Sequence, residues 1–406
     1  MPSSQLFANR PAMSRQNPPR RLILVLLCYC MATGGVLVVG PATCLSTMAA
    51  DLNMALDAQK GLFLGAPFWG LAIIALFSGW LAQRLGYRLL MLASAAMQTT
   101  GLLVVAAAAD PLQAMAGSIL LGFGRGMLVA PLTALLCSIY PDNRTGVANI
   151  FHAFFHIGTT VLIGLVLALF HFDWSWRETF RCFAALIAPC GLVGFAVPLP
   201  GAVHMAERSD RLGRVARQAG FGLIVAGVFF SGMVETGPTA WLPYFIEEAV
   251  GTSRSFGAVG LLCFALTMVC GRLTVPALVR RWGVKWIFVG GGLLSAISVA
   301  MAVLPWGIYS TVFWLTLLGL AVSGLFPTAV GYAGDRFPTA NASLFAVINS
   351  SAILGSVAAP AAVGVVADYL GLRPALASLA LAALAFIVII SRLLKMPAAA
   401  SHAHAA

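Results

Sequence analysis

Apolar runs of roughly 20 residues, broken by short stretches rich in charge, glycine and proline, recur along the whole 406-residue chain. A run of that length is what an α-helix needs to cross the hydrocarbon core of a bilayer. The pattern predicts twelve membrane-spanning helices, at 22–46, 61–82, 88–108, 112–139, 146–170, 178–199, 219–246, 256–279, 285–304, 308–333, 342–367 and 374–394. One polar interruption is longer than the rest. It holds His204, Glu207, Arg208, Asp210, Arg211, Arg214 and Arg217 and divides the helices into six and six. The fold expected is an all-α membrane protein built as two six-helix bundles. Residues 1–21 form a cytoplasmic tail, 22–199 the first bundle, 200–218 a cytoplasmic linker, 219–394 the second bundle and 395–406 a second tail.

Composition narrows the class. The chain is 60% hydrophobic and 9% charged, whereas soluble domains carry charge on about a quarter of their residues. A soluble enzyme and a disordered chain are excluded on that ground. The net charge of +11 does not indicate nucleic acid, because the basic residues are scattered thinly and make no phosphate-tracking stripe. Their distribution instead sets an orientation. With the amino terminus inside, seventeen basic residues fall in inner segments, while Lys60, Arg177, Arg181, Arg254 and Arg373 fall outside. A cell inner membrane with both termini cytoplasmic follows as the expectation. The eight cysteines show neither C-x-x-C pairs nor ligand-like clusters and read as small packing residues.

The two halves read as copies of one another. Adding 197 to a residue number carries Gly40-Pro41 onto Gly237-Pro238, Leu81, Arg84 and Gly86 onto Leu278, Arg281 and Gly283, Gly122 onto Gly319, Pro141 onto Pro338, and Gly158 onto Gly355. Parallel repeats of six helices place a substrate site between the halves, near the bilayer midplane.

Twelve helices, a long central linker and repeated basic turns resemble the major facilitator superfamily. The signature of that family between its second and third helices is similar to Gly79-Trp80-Leu81-Ala82-Gln83-Arg84-Leu85-Gly86-Tyr87-Arg88, with Gln83 where an acid is expected. The resemblance implies a cytoplasmic gate involving Arg84, Gly86, Arg88, Arg281 and Gly283. Three further stretches are similar to the fucose-permease-like sugar:proton symporters. They are Asn149 to Gly158 in the fifth helix, Glu235 with Trp241 and Tyr244 in the seventh, and Gly324-Leu325-Phe326-Pro327-Thr328 in the tenth. Members of that group carry proton-binding carboxylates in the first and fourth helices. Here the first helix has no acid and the fourth has Arg125.

Charges inside the bilayer cost at least about 2.5–3.5 kcal/mol unless paired or hydrated. Arg125, in Gly122-Phe123-Gly124-Arg125-Gly126, is a candidate fixed cation for an anionic or hydroxylated substrate; the alternative is structural pairing with helix carbonyls or a carboxylate. Glu235, three residues before Pro238, is a candidate proton-coupling group; the alternative is a permanent salt bridge, Arg125 being one possible partner. Arg272 lies two turns from a helix end and is expected to snorkel toward water. Asn149, His152 and His156 share one helix face. They are candidates for cavity lining, with His152 also a candidate in proton coupling, or for helix-to-helix hydrogen bonds. Two histidines without a third ligand make no metal site. The 197 offset maps His152 onto Asn349, which joins the candidate substrate site. Trp241 and Tyr244 are placed against a sugar ring or, alternatively, at the membrane interface. Trp69, Gln98, Trp314 and Tyr332 are further candidates for the same cavity.

The function expected is secondary active transport of a small polar solute, a sugar or related compound, by alternating access and coupled to H+, by a monomer and without a cofactor. Transport of an organic anion such as a carboxylate, sugar acid or siderophore-like chelator is the alternative. Neither a P-loop nor an H-E-x-x-H or G-x-S-x-G motif is present to support ATP use or an embedded enzyme.

Overall fold

The computed structural model describes residues 20–140, 144–197, 199, 218–337 and 342–396. The tail before residue 20, most of the linker at 200–218, and residues 397–406 lie outside the described residues. Among the described residues, twelve helices are long and apolar enough to cross a membrane. They are α1 (Arg20–Thr43), α2 (Asp57–Ala75), α3 (Ser78–Ala107), α4 (Pro111–Ile139), α5 (Ile150–His171), α6 (Trp176–Ala196), α7 (Phe221–Ala249), α8 (Arg254–Trp282), α9 (Val284–Ala302), α10 (Ile308–Arg336), α11 (Ala346–Leu370) and α12 (Leu372–Lys395). No strand occurs among the described residues. In hydrocarbon, helices satisfy their own backbone polar groups, so this is the architecture an apolar chain can adopt. An even number of spans brings Arg20 and Lys395 to one side of the membrane, called here the terminal side.

The repeat is legible in the backbone. Gly86 (φ 70°, ψ 162°) and Gly283 (φ 80°, ψ 164°) make the same turn in the two copies, in a left-handed region that glycine enters without cost. Tyr140 (φ −117°, ψ 65°) and Phe337 (φ −118°, ψ 69°), also 197 residues apart, end the fourth and tenth helices alike. Packing repeats with the same offset. A Cβ on Gly122 would strike the Pro67 carbonyl oxygen, and one on Gly319 would strike that of Phe264. Gly158 closes in the same way on the Ala32 carbonyl and Gly355 on that of Phe229. Small residues at these crossings let helix backbones touch, which is how helices associate where no hydrophobic drive exists between them.

The core shows how the halves meet. On the far side a single buried cluster runs through both, taking Val39, Phe63 and Phe180 from the first and Trp241, Phe264 and Leu379 from the second. Toward the terminal side it splits. Ile23, Leu90 and Leu135 form a core of the first half, while Ile224, Phe288 and Phe386 form a separate core of the second. The halves are therefore joined on the far side and apart on the terminal side. The joints are α2 on α11, α5 on α8, and α1 on α7.

Gly122→Ala is expected to lower stability by about 1–3 kcal/mol, the usual cost of overpacking, and to reduce folded yield. Gly222→Ala, at a helical glycine with open space around it, is expected to be neutral or mildly stabilising. Thermal unfolding of the two purified variants beside the parent checks the difference.

Candidate functional site

Arg125 lies midway along α4 and is buried, 3% exposed. The first helix loosens into a 3-10 turn at Thr33–Gly35, and this releases carbonyls that the α-helical pattern would occupy. Arg125 takes them, donating from Nη1 to the Cys30 carbonyl (2.8 Å) and from Nη2 to the Met31 carbonyl (3.2 Å) and the Met31 Sδ (2.7 Å). Gly34 makes room for it, since a Cβ there would collide with the guanidinium. The ring of Phe155 lies 5.8 Å from the same group. The small residues around Arg125 serve helix contacts: Gly122 and Gly126 press on α2, and Gly124 on α3. The arrangement is that of a guanidinium bound to helix carbonyls, the structural alternative named for it.

Glu235 does not pair with Arg125. Its carboxylate accepts from Arg272 Nη2 at 3.0 and 3.2 Å, both side chains being about one-fifth exposed (23% and 21%). The expectation that Arg272 snorkels to the membrane edge is thereby corrected. A guanidinium beside a carboxylate at membrane depth gains more from a charge-assisted bond than from a stretched path to water.

The histidines of α5 face this pair across the gap between the halves. α5 packs on α8, the helix that carries Arg272. His152 is exposed although it lies about 12 Å along the helix from Arg144 at 1.5 Å per residue, so the space it faces is open. Its Nε2 lies 3.3 Å from Thr133 Oγ1 on α4. His156 is half-buried one turn further on. Asn349 on α11 is also exposed. It shares a helix face with Ser356, bonded to Thr236 of α7, and with Pro360, which touches α2 and Trp241. That face looks between the halves. The side chain of Asn149 lies outside the described residues. Gln98 is buried in the first half, donating to Ser94 Oγ at 3.0 Å. The Glu235–Arg272 pair thus joins α7 to α8, and α8 packs on α5, the helix of His152 and His156.

Trp241 and Tyr244 are elsewhere. Trp241 is fully buried and its Nε1 donates to the Pro360 carbonyl at 3.1 Å. The Tyr244 hydroxyl accepts from Lys60 Nζ at 2.8 Å. Both belong to a far-side closure that sequence reasoning missed. In it, Lys60 is buried, bonded to Asp57 at 2.7 Å and placed 4.9 Å from the Tyr244 ring centre. Asp368 of α11 caps the start of α2, accepting from the Asp57 and Ala58 amides at 2.7 and 3.1 Å. Ser46 donates to Glu247, and Arg254 lies over Phe170 with its Nη1 3.5 Å from the Trp174 carbonyl. Among the described residues, the hydrogen bonds between the halves gather here. A signal was available for Asp368, since an acid beside a helix start is a favoured cap. Its position in the other half hid the partnership.

The turns expected to form a gate sit on the terminal side. Arg84, Arg88 and Arg281 are exposed, with Arg84 stacked on Trp80 (4.7 Å) and Arg281 near Trp282 (6.0 Å). Among the described residues none of the three forms an ion pair. The structural role visible at these turns belongs to Gly86 and Gly283.

A helical membrane fold in two repeated halves, with a polar cluster between them and closure on one side, defines a solute carrier. The sequence profile described as Major Facilitator Superfamily matches residues 25–248 and 224–406, and the chain belongs to that superfamily of transporters. An uncharacterized MFS-type transporter of Yersinia pestis is 24% identical over 376 residues, covering 92% of this chain and 94% of its own. Among solved structures, a bacterial homologue of the human lysosomal transporter Spinster, inward-facing and occupied, aligns with a TM-score of 0.77 at 14% identity, covering 93% of this chain and 97% of that one. A D-xylose-proton symporter aligns at 0.75 and 13% identity, covering 93% and 98%. These structural likenesses speak to the fold.

Glu235→Gln and Arg272→Gln are each expected to destabilise by about 2 kcal/mol, because each leaves a charged or polar partner unmatched. The double variant should lose less than the sum. A double-mutant cycle on thermal unfolding measures the coupling; strict additivity would mean that the pair contributes nothing as a pair.

Proposed function

We propose that the chain is a proton-coupled secondary carrier for a neutral, hydroxyl-rich solute such as a sugar or polyol, working as a monomer by alternating access. The observation that carries this reading is the Glu235–Arg272 pair facing His152 and His156. Paired, the two charges cancel, so the site has no net demand for an ionic substrate from them. When Glu235 takes a proton, its hold on Arg272 weakens, and the guanidinium can turn its five donors toward solute hydroxyls. Imidazole and amide groups at His152, His156 and Asn349 supply both donors and acceptors. The proton and the solute thus favour one another's binding, which is the requirement for symport.

The name of the D-xylose-proton symporter, a structure sharing this fold, supports the same reading. One elementary charge moved through 100 mV is worth about 2.3 kcal/mol, enough for roughly a fiftyfold solute gradient. The basic residues of the terminal side support placing it at the cytoplasmic face of a cell inner membrane. In that orientation the open space is reached from inside. The far-side closure through Lys60, Tyr244, Asp368 and Glu247 is then the external gate.

A second reading, transport of an organic anion, rests on two arginines within the spans, Arg125 in α4 and Arg272 in α8, the helices that pack on α5. Arg272→Lys separates the two. A site reading a carboxylate bidentately loses affinity sharply with lysine, whereas a hydroxyl-binding site retains much of it.

In proteoliposomes, Glu235→Gln is expected to abolish accumulation driven by a pH gradient while leaving solute counterflow. Undiminished accumulation by this variant would overturn the coupling role. Combining Lys60→Gln with Tyr244→Phe should loosen the external gate. A several-fold rise in labelling of Asn349→Cys by an impermeant maleimide added from the far side, against the protein without that cysteine, reads this out.

A further inference from the structure

A second cavity lies away from the gap between the halves, in the outer wall of the second half. It has a volume of about 900 Å³ and is bounded by α8, α9 and α10, with Gly271, Gly290, Gly291, Gly324, Trp282 and Trp286 among its lining. It exists because α9 packs on α10 and α12 and touches α8 only lightly. Glycines deepen the cleft: a Cβ at Gly290 would meet nothing within 4 Å. The tryptophans at its terminal-side end are 55% and 65% exposed, and the neighbouring wall carries exposed Leu273, Leu293 and Leu320. The cleft therefore opens to the bilayer.

The repeat shows that this is not a generic feature of the fold. At the positions 197 residues earlier, Gly271, Gly290, Gly291 and Gly324 correspond to Ile74, Ala93, Ser94 and Met127. At Ala93 a side chain stands where Gly290 leaves space, whereas Gly271, Gly291 and Gly324 let neighbouring helices close on one another. Trp282 and Trp286 correspond to Leu85 and Leu89, and Arg280 to Gln83. One copy has thus gained a groove, two interfacial aromatics at its mouth and one more cation. Arg280, Arg281 and Lys285, all exposed, flank those tryptophans in sequence and form no ion pair among the described residues.

We infer that the cleft holds an anionic glycerophospholipid drawn from the leaflet on the terminal side. An acyl chain fills the space beside Gly290. The rings of Trp282 and Trp286 lie at the depth of the glycerol backbone, where indoles partition. The phosphate meets Arg281 and Lys285, as basic pockets between membrane helices meet anionic headgroups. The charge and the groove call for both parts of one molecule: a neutral headgroup leaves the cations unmatched, and a free phosphate leaves the groove empty. Because the cleft borders α8, the helix bearing Arg272, its occupancy adjoins the helix that carries half of the central ion pair.

Native mass spectrometry of the full chain released from detergent, with phosphatidylglycerol, phosphatidylcholine and glycerol phosphate as probes, tests this. Retention of phosphatidylglycerol is expected to fall at least fivefold in Gly290→Leu, which fills the cleft. Arg281→Gln combined with Lys285→Gln should erase the preference for phosphatidylglycerol over phosphatidylcholine. Should Gly290→Leu fail to fold, phosphatidylglycerol brominated on its acyl chains supplies a second measurement: it should quench more of the tryptophan emission of the parent than of Trp282→Phe/Trp286→Phe. Equal retention by the parent and Gly290→Leu, equal quenching in the parent and the tryptophan variant, no preference for the anionic lipid, or binding of glycerol phosphate as strong as that of the lipid would each overturn the assignment.

Discussion

In a bilayer, a polar group that the protein itself does not satisfy has no water to turn to. Much of what is distinctive in this chain follows from that constraint. The loosened turn at Thr33–Gly35 presents the Cys30 and Met31 carbonyls at membrane depth, and without them Arg125 would be a bare cation. Each completes the other, with Gly34 shaped around the contact. The charge of Arg125 is thereby absorbed into the first half. The second half has its own solution: Glu235 and Arg272 answer one another between adjacent antiparallel helices and remain partly exposed to the gap. One arginine is sealed by backbone and the other is held by a carboxylate.

The large-scale fold was open to reading from sequence because membrane spans are a matter of length and apolarity. The repeat was open because it is ungapped: Gly86 and Gly283 adopt one conformation, and Gly122 and Gly319 press on carbonyls that are themselves 197 residues apart. Pairing was harder. Arg125 could be seen to need partners, but backbone carbonyls carry no residue identity by which to find them. The nearness of Arg272 to a helix end points it to water, although Glu235, its partner, sits on the preceding helix. Depth matching between consecutive antiparallel helices is the signal that would have joined them.

Lys60 and Tyr244 illustrate another limit. Lys60 reads as an ordinary residue of a helix end, and Tyr244 as a candidate for a sugar ring or for the interface, where lysine and tyrosine anchor spans. Their contact spans the two halves, and neither helix alone records it. The sequence neighbours of Trp241 suggest a place near the solute, yet it faces α11 and donates to the Pro360 carbonyl. A helix of this kind presents different residues to lipid, to its own half and to the opposite half. Periodicity gives faces but does not say which neighbour each face meets.

The cap that Asp368 places on α2 has a consequence for the ease of movement. When the far side parts, the amides of Asp57 and Ala58 lose a carboxylate but come within reach of water at the membrane surface. The exchange is one hydrogen bond for another, and net differences of that sort amount to about a kilocalorie per mole per bond. Had apolar side chains alone fastened the halves, separation would have wetted oily surface with nothing in return. A clasp of charged and amide groups at a wettable edge can be firm in geometry and shallow in free energy. Two states of nearly equal depth let a carrier cycle instead of resting in one of them.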